Sequence, residues 1–430
     1  MPNQKILPLL SLFFFIATIS QLFPEANSRT YSADIEALKN LKNGLDPKSI
    51  ARGSCLSSWD FAVDPCDRLF TDKFTCGLRC DRAVHDLFRV TEIALDSVGY
   101  SGSLSSTNWT SLPYLQALDL SDNSFSGSLP DSLSDLVQLR RLGLSRNLLS
   151  GEIPPTLSTL PRLEELYLDG NMFSGRVPAS FSSLTTLKRV EIQRNNLSGV
   201  FPDLGSMHSL DYLDASDNKF SGEFGDSAFP SALVEISMRN NSISGHLPKT
   251  IADLKFLQVL DLSMNRLSGP IISVLFEHPS LQQLTLSHND FTSLEVPATM
   301  GFDSELIAID LSDNALRGLL PAFLCSMPKL SALSLENNRF TGMIPAAYGV
   351  KAAAAGTEGE STAFERLLLA GNYLVGKIPA AMMGMKPGSG NVSLVDNCLY
   401  RCPDDLFFCR GGDQKSVVEC KRFWPVRMIP

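Results

Sequence analysis

Leu118-Asp-Leu-Ser-Asp-Asn123 runs straight into Ser124-Phe-Ser-Gly127, and the pattern returns twice at once. It reappears as Leu142-Gly-Leu-Ser-Arg-Asn147 with Leu148-Leu-Ser-Gly151, and as Leu166-Tyr-Leu-Asp-Gly-Asn171 with Met172-Phe-Ser-Gly175. The same asparagine stands at Asn195, Asn218, Asn241, Asn265, Asn289, Asn314, Asn338 and Asn372, almost always 23 to 25 residues apart. A degenerate first unit, Ile93-Ala-Leu95, has Val98 in the asparagine position, and a last half unit, Val392-Ser-Leu394, ends at Asn397. About twelve units and a closing strand result. A fixed period of this size marks a stacked array in which no unit has a core of its own. The alternating Leu-x-Leu predicts a short strand with its leucines pointing inward. Successive strands then lie side by side, about 4.8 Å apart. The asparagine amide can bond main-chain groups where the chain leaves the sheet. Gly127 and its equivalents permit a tight path, and Pro130, Pro154, Pro178, Pro202 and Pro248 fix φ on the outer turns. The fold class predicted is an α/β solenoid, a curved right-handed array with a parallel β-sheet on its concave face.

The run Leu149-Ser-Gly-Glu-Ile-Pro154, and more loosely Phe340-Thr-Gly-Met-Ile-Pro345, resembles the plant-specific class of leucine-rich repeat. Ala33-Asp-Ile-Glu-Ala-Leu-Lys-Asn-Leu-Lys42, Asp46-Pro47, Leu56-Ser-Ser-Trp59 and Asp64-Pro-Cys66 resemble the helical cap that opens such arrays. The chain is similar to ectodomains of plant receptor-like proteins and receptor kinases, and to secreted polygalacturonase-inhibiting proteins. It departs from them in a long cysteine region from Cys66 to Cys80 and in four C-terminal cysteines where a pair is usual. The resemblance implies a protein that binds a peptide or a receptor ectodomain in signalling or defence. An inhibitor of a microbial cell-wall-degrading glycosidase and a structural cell-wall protein are the alternatives.

Residues 1–28 read as a secretory signal peptide. Lys5 precedes the apolar run Ile6–Ile19, and Pro24, Ala26 and Ser28 supply small residues near a cleavage point. No later segment is long and apolar enough to span a bilayer. The expected location is therefore extracellular: apoplast, cell wall or the outer face of the plasma membrane. Residues 29–89 are read as the N-terminal cap, 90–390 as the repeats and 391–430 as a C-terminal cap. The net charge of -9 argues against a nucleic-acid partner, which needs a basic face.

The nine cysteines fall into two groups and one outlier. Cys55, Cys66, Cys76 and Cys80 precede the repeats; Cys398, Cys402, Cys409 and Cys420 follow them. Even groups in an oxidising compartment predict disulfide-stapled caps, each with three possible pairings. Zinc is the alternative, because Cys76/Cys80 and Cys398/Cys402 have ligand-like spacing. Cys325, alone between them, reads as a buried thiol. The helix expected around Ser32–Leu45 should cover the open edge of the sheet. The interval from Asn338 to Asn372 is 34 residues. Its extra sequence, around 349–362, is small and polar and reads as an external loop.

Nothing points to catalysis. His85, His208, His246, His278 and His288 form no metal pattern, and Asp119, Asp214, Asp261 and Asp310 belong to the repeat frame. No cofactor or metal is expected. The informative residues are those on the exposed strand face that depart from the frame. They are Arg141; Glu165, Tyr167 and Asp169; Arg189, Glu191 and Gln193; Tyr212; and Glu235 and Arg239. Tyrosines amid mixed charge suit a protein-binding patch, since Tyr and Arg are favoured anchors. The plainer alternative is a solvated face with ion pairs Glu165–Arg189 or Glu235–Arg239, each contributing about 0–1 kcal/mol. Glycosylation sequons begin at Asn108, Asn196, Asn240 and Asn391. Asn196, which follows the turn asparagine Asn195, should carry its glycan at the rim, whereas Asn240 precedes its turn asparagine and is expected closer to the sheet.

Overall fold

The computed structural model describes residues 29–82, 87–224, 228–355 and 363–423. The leader, His85, the second half of the 349–362 stretch and the last seven residues lie outside the described residues.

Each Leu-x-Leu forms a short strand whose leucines are fully buried, as at Leu118, Leu142, Leu166 and Leu260. These strands join into one 14-stranded sheet, parallel from Phe88–Ala94 through to Asn391–Ser393. The Phe-Ser-Gly segments form a second, lateral layer in two pieces of 9 and 4 strands. The layer is interrupted between Asp290–Leu294 and Arg317–Leu319. Phe125, Phe173, Phe220, Phe291 and Phe340 occupy one position of this layer and are fully buried. The outer turns are short 3-10 helices opened by proline, such as Pro155–Thr159 after Pro154. One core thus runs the length of the array. Among the described residues no helix is long and apolar enough to cross a membrane.

The asparagine carries the connection between units. Asn147 Nδ2 donates to the carbonyls of Leu144 and Ser145 in its own unit and of Leu120 in the unit before. Its Oδ1 accepts from the Phe125 amide, 2.9 Å away, also in the unit before. Asn171, Asn265, Asn338 and Asn372 repeat the arrangement. At the far end Gln414 takes the place that the next unit's asparagine holds elsewhere. Its Oε1 accepts from the Leu399 amide at 3.0 Å and its Nε2 donates to the Leu394 carbonyl at 3.1 Å.

Both caps are stapled. The pairs are Cys55–Cys76, Cys66–Cys80, Cys398–Cys420 and Cys402–Cys409. Cys76 and Cys80 therefore go to different partners, as do Cys398 and Cys402, and neither ligand-spaced couple offers thiolates to zinc. Cys325 is a free, partly buried thiol, its pKa pushed up to about 12 by burial. The helix Ser32–Asn43 buries Ala37, Leu38 and Leu41 over the first outer turns. Its Asp34 is fully buried and holds Arg89 through bonds of 2.7 to 3.1 Å, while the guanidinium lies between the rings of Tyr31 and Tyr114.

Two expectations need correction. The sheet edge is covered not by the helix but by the strand Leu78–Arg82, which pairs antiparallel with Phe88–Ala94. The helix instead closes the end of the core. The extra residues after Asn338 do not begin as a loop, because Ala346–Ala353 is a helix. It is anchored inward: Tyr348 is fully buried, and Lys351 Nζ donates to the Met327 carbonyl at 2.7 Å. Ala-rich composition favours helix, and two buried long side chains dock it.

Candidate ligand-binding face

Each main-sheet strand presents three residues outward: the one before the first leucine, the one between, and the one after the second. Register then sets rows across the sheet. Arg141, Glu165, Arg189, Tyr212 and Glu235 are successive neighbours in one row. Gly143, Tyr167, Glu191 and Asp214 form the next. Seven of the ten residues singled out from sequence, Arg141, Glu165, Tyr167, Arg189, Glu191, Tyr212 and Glu235, therefore lie on one continuous stretch of the sheet face.

Their contacts are specific. Arg141 donates to Glu165 at 2.8 Å and reaches Asp119 at 3.3 Å, with its guanidinium 4.6 Å from the centre of the Tyr167 ring. Tyr167 Oη donates to the same Glu165 carboxylate at 3.1 Å. Two turns of the array after Arg141, Arg189 donates to Glu191 at 2.6 Å and lies 3.5 Å from the Tyr212 ring centre. Gln193 Nε2 donates to the other oxygen of Glu191 at 3.1 Å. Two arginine–tyrosine stacks thus stand two strands apart, each braced by carboxylates. Cation–π contacts of this kind contribute about 0.5–1 kcal/mol at exposed sites. They hold the rings in fixed orientation, which lowers the ordering cost of binding.

Burial, then the nearby Glu235 and Asp214 carboxylates, push the Tyr212 hydroxyl up to about 12. Tyr167 is raised by burial and by Glu165. Both remain neutral hydrogen-bonding phenols across the physiological range. Glu235 is raised by burial and by Asp214.

The predicted ion pairs are not those formed. Glu165 pairs with Arg141 rather than Arg189, whose own partner is Glu191 on the same strand. Arg239 is exposed and reaches the Met264 sulfur at 3.6 Å, not Glu235. Asp169 is buried at 7 % exposure and accepts a hydrogen bond from Ser145, so it supports the face from beneath. Sequence reading missed Asp119, set aside as a frame residue. The available signal was Gly143, where the frame usually has aspartate: a Cβ there would lie 2.8 Å from Asp119 Oδ1. It also missed the rim ladder, in which Glu164 bonds both Arg140 and Lys188.

All four sequon asparagines are exposed. Asn240 sits on the rim, bonded to Asp217 at 2.8 Å. Asn391 is the one on the concave face itself, in register with Arg366.

A leucine rich repeat family model matches residues 89–149, 161–220 and 279–340, and a second one matches 256–277. Receptor like protein 23 of Arabidopsis thaliana is 34% identical over 104 residues, covering 24% of this chain and 12% of that protein. Among solved structures, the PEPR1–AtPEP1 complex superposes with a TM-score of 0.71 at 29% identity, covering 89% of this chain and 51% of that one. The plant peptide hormone receptor RGFR1 in complex with RGF2 gives 0.61 at 30% identity, covering 70% and 46%. The chain thus spans about half the length of these two receptor structures and a small part of the receptor-like protein. The repeat frame, the stapled caps and these likenesses support a leucine-rich repeat protein of plant receptor-like type.

Proposed function

We propose that this chain is an extracellular recognition module whose concave face binds a peptide or a receptor ectodomain in plant signalling or defence. The observation that carries the reading is the pair of braced arginine–tyrosine stacks, Arg141 on Tyr167 and Arg189 on Tyr212. Aromatic and guanidinium groups pre-ordered on a rigid sheet are the composition of interaction hot spots. One of the two receptor structures is a plant peptide hormone receptor in complex with RGF2, which supports a polypeptide ligand. Four disulfides support an oxidising location outside the cytosol. Binding, not catalysis, is the activity proposed.

The test uses the tagged chain as bait in plant extracellular fluid, with and without fungal challenge, beside a Tyr167→Ala/Arg189→Ala variant. We expect a partner recovered by the wild type to be lost by the variant while secretion and melting temperature persist. Equal recovery by both would move the site off this face. Recovery of a fungal glycosidase that loses activity when bound would replace the signalling role with inhibition.

A further inference from the structure

The outer turns change character along the array. Early ones are polar, with Asp131 and Asp135, Ser182 and Ser183, Lys249 and Asp253. Four successive later segments, 296–302, 319–328, 343–350 and 378–385, contain no charged residue. Within them Val296, Phe302, Leu319, Met343, Val350 and Met383 are each more than half exposed. The segments pack on one another in order. A Cβ at Gly301 would lie 3.0 Å from the Phe323 carbonyl oxygen, Tyr348 Oη donates to the Pro321 carbonyl at 2.9 Å, and Gly349 stands against Pro379 and Met382. In the lateral layer beside them, Leu319 lies across Gly342 and Met343 across Gly376. One continuous apolar surface therefore runs from the outer side of the array round its lateral corner. Charge stands at its border, as in Asp303, Arg317, Lys377 and Lys386, all exposed. Lys351, in the helix of the third segment, is turned inward onto the Met327 carbonyl.

Cys325 lies inside this surface, partly buried and unpaired, whereas the other eight cysteines are all bonded. A surplus cysteine in an oxidising compartment points to a contact with another molecule. None of the four sequons falls in these segments, so no N-glycan is rooted on them. Four turns about 4.8 Å apart, each six to eight residues wide, make a patch of roughly 400 Å². Exposed apolar patches of that order, rimmed by polar residues, mark contact sites.

We propose that this face is a self-association surface, on which a second copy of the chain docks through the same four turns about a two-fold axis. The chemistry of the patch decides the occupant. An uncharged apolar face offers a charged ligand no counter-charge, and it matches another face equally depleted of charge. A two-fold contact presents one patch to itself and so meets that condition without a second kind of surface. Cys325 stands in the second of the four turns, near the middle of the patch, so the partner copy covers both thiols. Two copies bury roughly 800 Å² in total, below the size of permanent interfaces, and the dimer is therefore weak and reversible. The contact lies on the side of the array away from the concave sheet, which leaves both concave faces open whatever they bind.

Sedimentation equilibrium of the full secreted chain, from about 1 µM to about 300 µM, covers the range of such weak complexes. The mean mass should rise from one copy toward two. Val350→Glu/Met383→Glu places four carboxylates in the contact and should weaken the dimer about tenfold or more, with an unchanged melting temperature because both side chains are exposed. Phe302→Ser/Val350→Ser adds no charge and should weaken it in the same direction. Leu148→Glu/Met172→Glu, a like change at exposed apolar residues elsewhere on the lateral layer, should dimerise as wild type does. Cys325 should react with N-ethylmaleimide more slowly at the top of the concentration range than at the bottom, and equally at both in Val350→Glu/Met383→Glu. A chain that stays monomeric throughout, a dimer kept by both Val350 variants, or equal loss in the Leu148/Met172 variant overturns the proposal. So does a monomer that partitions instead onto phosphatidylcholine vesicles, since a lipid surface would then be the occupant.

Discussion

Asn147 satisfies three carbonyls and one amide with a single side chain, and it is 5 % exposed. Its removal strands several buried main-chain groups in two units at once. Asn147→Ala should therefore cost about 1–3 kcal/mol in denaturant unfolding. Gln414→Ala makes a contrast, because it serves only the last rung: exchange at the Leu399 amide should rise while global stability hardly moves. A shift of global stability as large as that of Asn147→Ala would refute the assignment of Gln414 as a terminal substitute. His278 tests burial by pH. Its imidazole is 2 % exposed, and burial, with Lys255 nearby, lowers its pKa. The unfolded histidine takes up a proton near about pH 6.5 while the folded one resists. The unfolded chain then binds more protons, so stability falls as pH drops below that point. His278→Gln should lose less stability than wild type between about pH 7 and 5, and parallel melting curves would contradict this. The asparagine ladder was legible in the sequence because its period repeats. Gln414 was not, since it lies outside the period. Nor were the true partners of Arg141 and Arg189, because on one sheet face several carboxylates lie within reach and rotamers decide among them.

Among the elements, the caps depend on covalent closure. Cys55–Cys76 closes a separation of 21 residues and Cys402–Cys409 one of 7. On loop entropy alone the first should contribute about 3 kcal/mol and the second about 2. Cys55→Ser/Cys76→Ser should accordingly lower the melting temperature further than Cys402→Ser/Cys409→Ser in calorimetry; the reverse order would mean that native contacts, not chain entropy, govern the caps. The cap helix could be read from Ile35, Leu38 and Leu41. The antiparallel strand Leu78–Arg82 could not, because its Leu-Arg-Cys-Asp-Arg sequence lacks a frame and its place is set by Cys80 bonding to Cys66 and by pairing with Phe88–Ala94. The helix Ala346–Ala353 was hidden for a similar reason: Gly349 and the small residues beside it read as a loop until Tyr348 and Lys351 are seen docked.

Across the whole molecule, each unit touches only its neighbours, so stability should add along the array. Excision of residues 242–265, which ends on the next ladder asparagine, should give a shorter protein that is secreted and melts cooperatively. An aggregated or protease-sensitive product would show that the array counts its units. The ladder also has a direction. The amide of each Phe-Ser-Gly strand is received by the asparagine of the following unit, as Phe125 is by Asn147 and Leu149 by Asn171. During synthesis, the newest unit to emerge is therefore always incomplete, and completion travels one unit behind the growing end until Gln414 arrives. A ribosome that stops early at any unit boundary releases a chain with an open rung, whereas one that skips a unit does not. The side chain of Gln414 thus closes a rung that would otherwise stand open at the end of the ladder.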